Sequence, residues 1–142
     1  MQTLALVNGD LMPAQGGYLL VTGVDRIRQD LTLALLEEYG SDRFHPKWGS
    51  VITRYIGNVI TPQLETLVRA EVNRTVQNYI IIQQAEVLRD SQVDVKGRFK
   101  TSDVVRSLLS LSTTVHTDRI DVQLALETLA RTTVTIRKQM VN

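Results

Sequence analysis

The spacing of hydrophobic residues changes character along this 142-residue chain and divides it into three parts. In residues 1–22 short apolar runs are cut by turn residues. Asn8-Gly9 tolerates positive φ at both positions, and Pro13 and Gly16-Gly17 break the chain again before Tyr18-Leu19-Leu20-Val21. This predicts a small β-meander, an arm that covers a sheet edge or the core. Val24, Ile27, Leu31, Ala34 and Leu35 then share one face of a helix, with Asp25, Arg28, Gln29, Thr32 and Glu37 largely off it. Thr22 stands at the capping position, Asp25 puts a carboxylate at the positive end of the dipole, and Gly40 supplies a left-handed stop. Pro46 forbids further helix, so Phe44 to Gly49 must turn a corner, with Phe44 and Trp48 packed beneath it.

Val51, Ile52, Tyr55, Ile56 and Val59 share a face and predict a short helix. Thr61-Pro62 opens the longest one, since proline at the first helical position forfeits no hydrogen bond. Leu64, Leu67, Val68, Val72, Val76, Tyr79 and Ile80 keep helical spacing. The β-branched run Ile80-Ile81-Ile82 suits a strand better, yet the composition after it is helical again, which carries the helix to about Leu88. Asp90 to Lys100, with Gly97, reads as a loop, and Ser102-Asp103 caps one turn. Beyond it the period becomes two. Leu109, Leu111, Thr113 and Val115 alternate with hydroxyl residues, and Ile120, Val122, Leu124 and Leu126 alternate with Asp121, Gln123, Ala125 and Glu127. His116 to Arg119 joins these runs as a hairpin, and Thr132 to Arg137 forms a third strand. The pattern predicts a single α+β domain: an N-terminal β-arm (1–22), central helices in a helical core (23–90) and C-terminal antiparallel β-strands in a sheet (103–138).

Charge adds little to this picture. A net charge of +1, with basic residues scattered, predicts neither a nucleic-acid nor an acidic-lipid surface. The absence of cysteine removes disulfides and thiolate metal sites. The start reads as something other than a signal peptide, and no apolar run is long enough to span a membrane. Glu37, Glu38 and Asp42 are the acids a glycosidase reading would need, but they read as solvated helix-end residues. His45 and His116 lack second ligands at helical spacing, so no metal and no cofactor is expected. Thr114 and Thr117 beside His116 are ordinary for a Thr-rich hairpin, and no catalytic residue is assigned.

Gly23, Gln29, Leu36, Gly40, Pro46, Trp48, Gly49 and Ser50, with the Val68 to Tyr79 helix, resemble the baseplate wedge family of contractile phage tails. Its members are also called sheath initiators and carry an older label, lysozyme-like. The resemblance runs from about Gly23 to Tyr79, with weaker agreement in the terminal strands. It implies a structural protein of the virion tail baseplate, assembled in the host cytoplasm. There it would stand in a sixfold ring with tail sheath protein and other wedge and hub or tube subunits as partners, and without nucleic acid or membrane. Such a protein offers strands to the first sheath ring by β-augmentation. The candidates for that template are the strands holding Val122, Leu124 and Leu126, and Val134 and Ile136. Familiar members carry Glu-Pro-Arg after the aromatic that ends the second helix. Here Tyr79 is followed by Ile80, Ile81 and Ile82, an apolar candidate for docking to the wedge. The rival expectations are a muralytic, lysozyme-like glycan hydrolase and an adaptor of a related bacterial secretion or injection machine.

Overall fold

The computed structural model describes residues 2–92 and 100–141. Six short strands come first: β1 (Gln2–Leu4), β2 (Leu6–Val7), β3 (Asp10–Leu11), β4 (Pro13–Ala14), β5 (Gly17–Tyr18) and β6 (Leu20–Thr22). They pair antiparallel as β1 with β6, β2 with β3 and β4 with β5. The Asn8-Gly9 turn has positive φ at both residues, as the dipeptide predicts. Ala5 is buried in this arm, whereas Leu4, Val7, Leu11, Tyr18, Leu19 and Leu20 are exposed.

Helix α1 (Gly23–Leu36) buries Ile27, Leu31, Ala34 and Leu35, the face its spacing predicts. Both expected ends need correction. Thr22 occupies the capping position, but its side chain makes no capping bond. The helix stops at Leu36, four residues before Gly40, because the chain returning from the corner satisfies its last carbonyls. Ser50 Oγ donates to Leu35 O at 2.6 Å, and Ser50 N donates to Glu37 O at 2.8 Å. Gly40 instead takes a φ of +78° in the turn that follows. Phe44 is 86% exposed and lies outside the corner's packing, while Trp48 packs against the core. The expected Val51–Val59 helix shrinks to a 3-10 turn, Ile52–Tyr55, which buries Ile52 and leaves Val59 exposed.

Thr61 Oγ1 accepts the Leu64 N–H, and from Pro62 helix α2 runs unbroken through the three isoleucines to Gln92. Asp90 to Gln92 are therefore helical, not loop. The rest of the expected loop, 93–99, lies outside the described residues. The buried stripe of α2 is Leu64, Val68, Val72, Thr75, Val76, Tyr79, Ile80 and Gln83. Leu67, expected on that face, is exposed.

After a 3-10 turn at Thr101–Asp103 come β7 (Val105–Val115), β8 (Arg119–Thr128) and β9 (Thr133–Val141), an antiparallel sheet ordered β7-β8-β9. It starts two residues later than expected and runs past 138 to Val141. Its inner face, with Leu108, Leu111, Ile120, Val122, Leu124, Leu126, Val134, Ile136 and Met140, joins the stripes of α1 and α2 in one core. α2 lies against β7 and α1 against β9. Leu109 breaks the simple alternation. Leu108 faces Leu126 and Ser110 faces Ala125, so Leu109 is an inserted residue that turns its side chain outward. Helices on one face of an antiparallel sheet leave the other face polar, and Ser112, Thr114, Gln123, Thr135, Arg137 and Gln139 populate it.

Candidate functional site

The corner residues singled out by the sequence converge where α1 meets α2. Glu38 and Ser50 form a parallel bridge, Tyr39 N donates to Ser50 O at 3.1 Å, and Gly40 N donates to Trp48 O at 3.0 Å. Gly49 takes a φ of +95°, and a Cβ there would lie 2.6 Å from Glu38 O, so glycine is required on both counts. Pro46 precedes Trp48, whose ring meets the Tyr79 ring edge-on at 6.0 Å and whose indole N–H donates to the Glu37 carboxylate. Two residues that sequence reasoning missed tie this corner to α2. Glu71 accepts the Val51 N–H at 2.9 Å and the Arg74 guanidinium at 2.6 Å, and Arg74 donates to Gly49 O at 3.0 Å while lying 4.4 Å from the centre of the Tyr39 ring. Burial alone would raise the Glu71 pKa. The hydrogen bonds from Arg74 and Val51 outweigh it and leave the carboxyl below its ordinary value. A Glu-x-x-Arg pair on a helix is common, so only the folded corner gives this one its role.

Gln29 clamps the arm. Its side-chain oxygen accepts the Leu6 N–H at 2.9 Å, and its amide donates to Leu4 O at 2.8 Å and Thr3 Oγ1 at 3.2 Å. One amide thus satisfies backbone groups of the arm that a neighbouring strand would otherwise satisfy. Gly23, with a φ of +60°, lets the chain pass from arm to helix, and Leu36 is exposed.

Between the arm, α1, the corner and α2 lies a cleft of about 200 Å³, lined in part by Arg26, Asp30, Trp48, Tyr79, Ile82 and Glu86. Arg26 is 91% buried, with Nε 3.3 Å from Asp30 and Nη2 3.8 Å from Glu86; its Nε and Nη1 make no hydrogen bond. Tyr79 donates its hydroxyl hydrogen to Asp30 at 3.2 Å. Burial pushes Asp30 up from 3.8 to about 6, against the pull of Arg26 and Tyr79. Tyr79 is pushed well above the ordinary phenol range by its own burial and by the Asp30 charge. Asp42 reaches His45 Nδ1 at 2.9 Å on the cleft's rim, and this bond and the Phe44 N–H hold its carboxyl below the ordinary range. Of the cleft residues named here, Tyr79, Trp48, Ile82, Asp42 and His45 were picked out beforehand, for differing reasons. Arg26, Asp30 and Glu86 look like helix-surface charges in sequence, because the contacts that bury them join separate helices. Among the described residues, no group of three His, Cys, Asp or Glu is placed to hold a metal ion.

The template candidates separate. Val122, Leu124 and Leu126 belong to β8, which is paired on both sides and has no free edge; that part of the expectation is corrected. Val134 and Ile136 belong to β9, an end strand. Their side chains point into the core, so only the backbone edge of β9 is available to a partner. Of the docking candidates, Tyr79 and Ile80 are buried, Ile82 is half-buried on the cleft wall, and Ile81 is 62% exposed. Neither a scan of protein-family models nor a search of curated proteins finds a match for this chain.

Proposed function

We propose that this chain is a structural subunit of a contractile tail baseplate, joining the wedge to the sheath and templating the first sheath ring by strand addition at β9. The edge geometry carries the reading. Strands β8 and β9 stay in register from Arg119↔Val141 to Glu127↔Thr133 without a bulge, so β9 holds a regular, nine-residue edge. Strand β7, the other end of the sheet, is broken by irregularities near Arg106 and at Leu109 that spoil it as a template. Arg28 of α1 reaches Thr135 O at 3.4 Å, a contact that an arriving strand has to accommodate. Main-chain bonds would give affinity there, and alternate side chains of the arriving strand would give register.

On the opposite side, Leu67, Ile81 and Leu88 are exposed on α2 at multiples of seven residues, which places them on one stripe. This stripe is our candidate for docking into a helical wedge, in place of the missing Glu-Pro-Arg. Electron cryomicroscopy of the native particle tests the assignment. The expected result is a ring of this chain at the baseplate, with a sheath strand along β9. Density for it elsewhere rejects the reading, and a ring in a bacterial secretion machine would support the adaptor instead.

The Asp30 carboxyl, held near 6 in a cleft beside Trp48, favours a second reading as a muralytic hydrolase, since a general acid works best near the operating pH. Against it, Asp30 is occupied by Arg26 and Tyr79, and about 200 Å³ gives little room for a glycan chain. Turbidity loss of cell-wall suspensions that disappears in Asp30→Asn would establish it.

A further inference from the structure

The arm is built around a ring of three backbone hydrogen bonds. Ala5 N donates to Leu19 O at 2.8 Å, Leu19 N to Met12 O at 2.8 Å, and Met12 N to Ala5 O at 3.0 Å. From this ring the ladders β1–β6, β2–β3 and β4–β5 lead off as three leaves. Each ring residue lies between two apolar neighbours: Leu4 and Leu6, Leu11 and Pro13, Tyr18 and Leu20. Pairing joins these six across the leaves as Leu4↔Leu20, Leu6↔Leu11 and Pro13↔Tyr18, and directly paired residues share a face. Successive side chains of a strand point to opposite faces. Ala5 is buried and Thr3 meets Gln29 of α1, so Leu4, which lies between them, points away from α1, and the other five follow it. Exposure agrees: Leu11, Leu4, Leu20 and Tyr18 are 42, 44, 48 and 55% exposed. Asp10, the arm's sole charged side chain, pairs with Val7 on the other face of its leaf.

Two-stranded ladders this short are marginal alone, and among the described residues nothing covers their outward face. At ordinary side-chain areas the six expose on the order of 400 Å² of apolar surface. A standard homodimer contact buries about 800 Å² per partner, about 65% of it apolar, or roughly 500 Å². One face of the arm meets most of that need. The absence of charge selects the occupant. In a twofold contact a patch meets itself, so a charge near the axis would face its like, and this patch carries none. Asn8 and Gln15, in the turns at the leaf tips, supply a polar rim. We propose that the outward face of the arm binds a second copy of this chain in a twofold dimer. The proposal stands apart from the baseplate reading, because neither β9 nor the α2 stripe takes part in it.

Sedimentation velocity of the full chain over about 1–100 μM tests the dimer, and a reversible rise from monomer to dimer is the expected result. A chain that stays monomeric throughout overturns the proposal. The double variant Leu11→Asp, Tyr18→Glu charges two leaves on the outward face and should raise the dissociation constant at least tenfold. Slow exchange of the Leu6 amide, whose hydrogen Gln29 accepts, checks that its arm stays folded. Val7→Asp charges the other face of the Leu11 leaf and should leave the constant within about twofold. A dimer that persists in the folded double variant, or one weakened equally by Val7→Asp, counts against this face. The wild-type dimer gives a test free of any folding defect. Nuclear Overhauser contacts between a labelled and an unlabelled copy should join the Tyr18 ring to the methyls of Leu4, Leu11 or Leu20, and contacts confined to any other surface overturn the assignment.

Discussion

Gly49 and Gly57 both adopt positive φ, at +95° and +87°, yet their neighbourhoods differ. A Cβ at Gly57 meets nothing within 4 Å, whereas at Gly49 it meets the backbone of Glu37 and Glu38 inside 3 Å. Gly57→Ala should therefore cost only conformational strain, about 1 kcal/mol, while Gly49→Ala adds a backbone clash and should cost on the order of 2–4 kcal/mol. Chemical denaturation of the two variants checks the difference, and equal losses would mean that the corner yields freely. Asp30 gives a second residue-scale prediction. Its carboxyl titrates at 3.8 in the ordinary case and at about 6 when folded, so between these values the folded state binds more protons than the unfolded. Stability contributed by this group is present at low pH and falls as pH rises through that window, by up to about 3 kcal/mol. The lowered pKa values of Asp42 and Glu71 act in the opposite sense and below their ordinary values, so they leave the upper part of the window to Asp30. Asp30→Asn should flatten the stability profile between pH 5 and about 6.5. A parallel profile in wild type and variant would place the titration elsewhere.

At the scale of elements, α2 presents adjacent isoleucines to opposite environments. Ile80 is 6% exposed and Ile81 62% exposed, a consequence of the turn of about 100° per residue. Ile80→Asp should unfold the protein by burying a charge, whereas Ile81→Asp should shift stability by less than about 0.5 kcal/mol. If the α2 stripe docks to the wedge, the second variant alone stays folded while losing assembly; normal assembly of Ile81→Asp would falsify the docking. The arm makes a parallel case. Gln29→Ala removes two hydrogen bonds to β1 and one to β2, and amide exchange should accelerate across residues 2–22 while α2 is unaffected.

These elements also mark what the sequence could and could not convey. The faces of α1 and α2, the Pro62 start and the Asn8-Gly9 turn follow from local spacing and backbone preference, which act within a few residues. The end of α1 does not, because it depends on Ser50 arriving from a distant turn. The Leu109 insertion hides in an unbroken apolar alternation, and in the Arg26, Asp30 and Tyr79 cluster the bond from Tyr79 to Asp30 joins positions 49 residues apart. Phe44 fails for the opposite reason: an aromatic beside a proline corner looks like core, yet here the corner is closed by backbone hydrogen bonds and Trp48, with no place left beneath it.

In the whole molecule, the sheet shields one strand, spoils one edge and leaves one edge regular. Strand β8 is held by hydrogen bonds on both sides and buries alternate residues from Ile120 to Thr128. Substituting Leu124 or Leu126 by Asp therefore tests folding, not recognition, and should abolish the cooperative transition. Strand β9 puts Arg137 on its outer face and keeps Lys138 half-buried, charges that discourage two free copies from pairing edge to edge without removing the edge itself. If β9 acts as the proposed template, it has to stay unpaired until its partner arrives and then gain a full ladder of main-chain bonds. Amide exchange measures that gain directly. In the free protein the β8 amides should be the slowest in the sheet, and the β9 amides that face away from β8 should exchange far faster. Assembly with sheath protein should slow those outward amides of β9 by at least an order of magnitude, with β7 and the arm little changed. Slowing confined to β7 would transfer the template to the bulged edge, and slowing confined to α2 would leave this chain as a wedge adaptor that takes no part in strand addition.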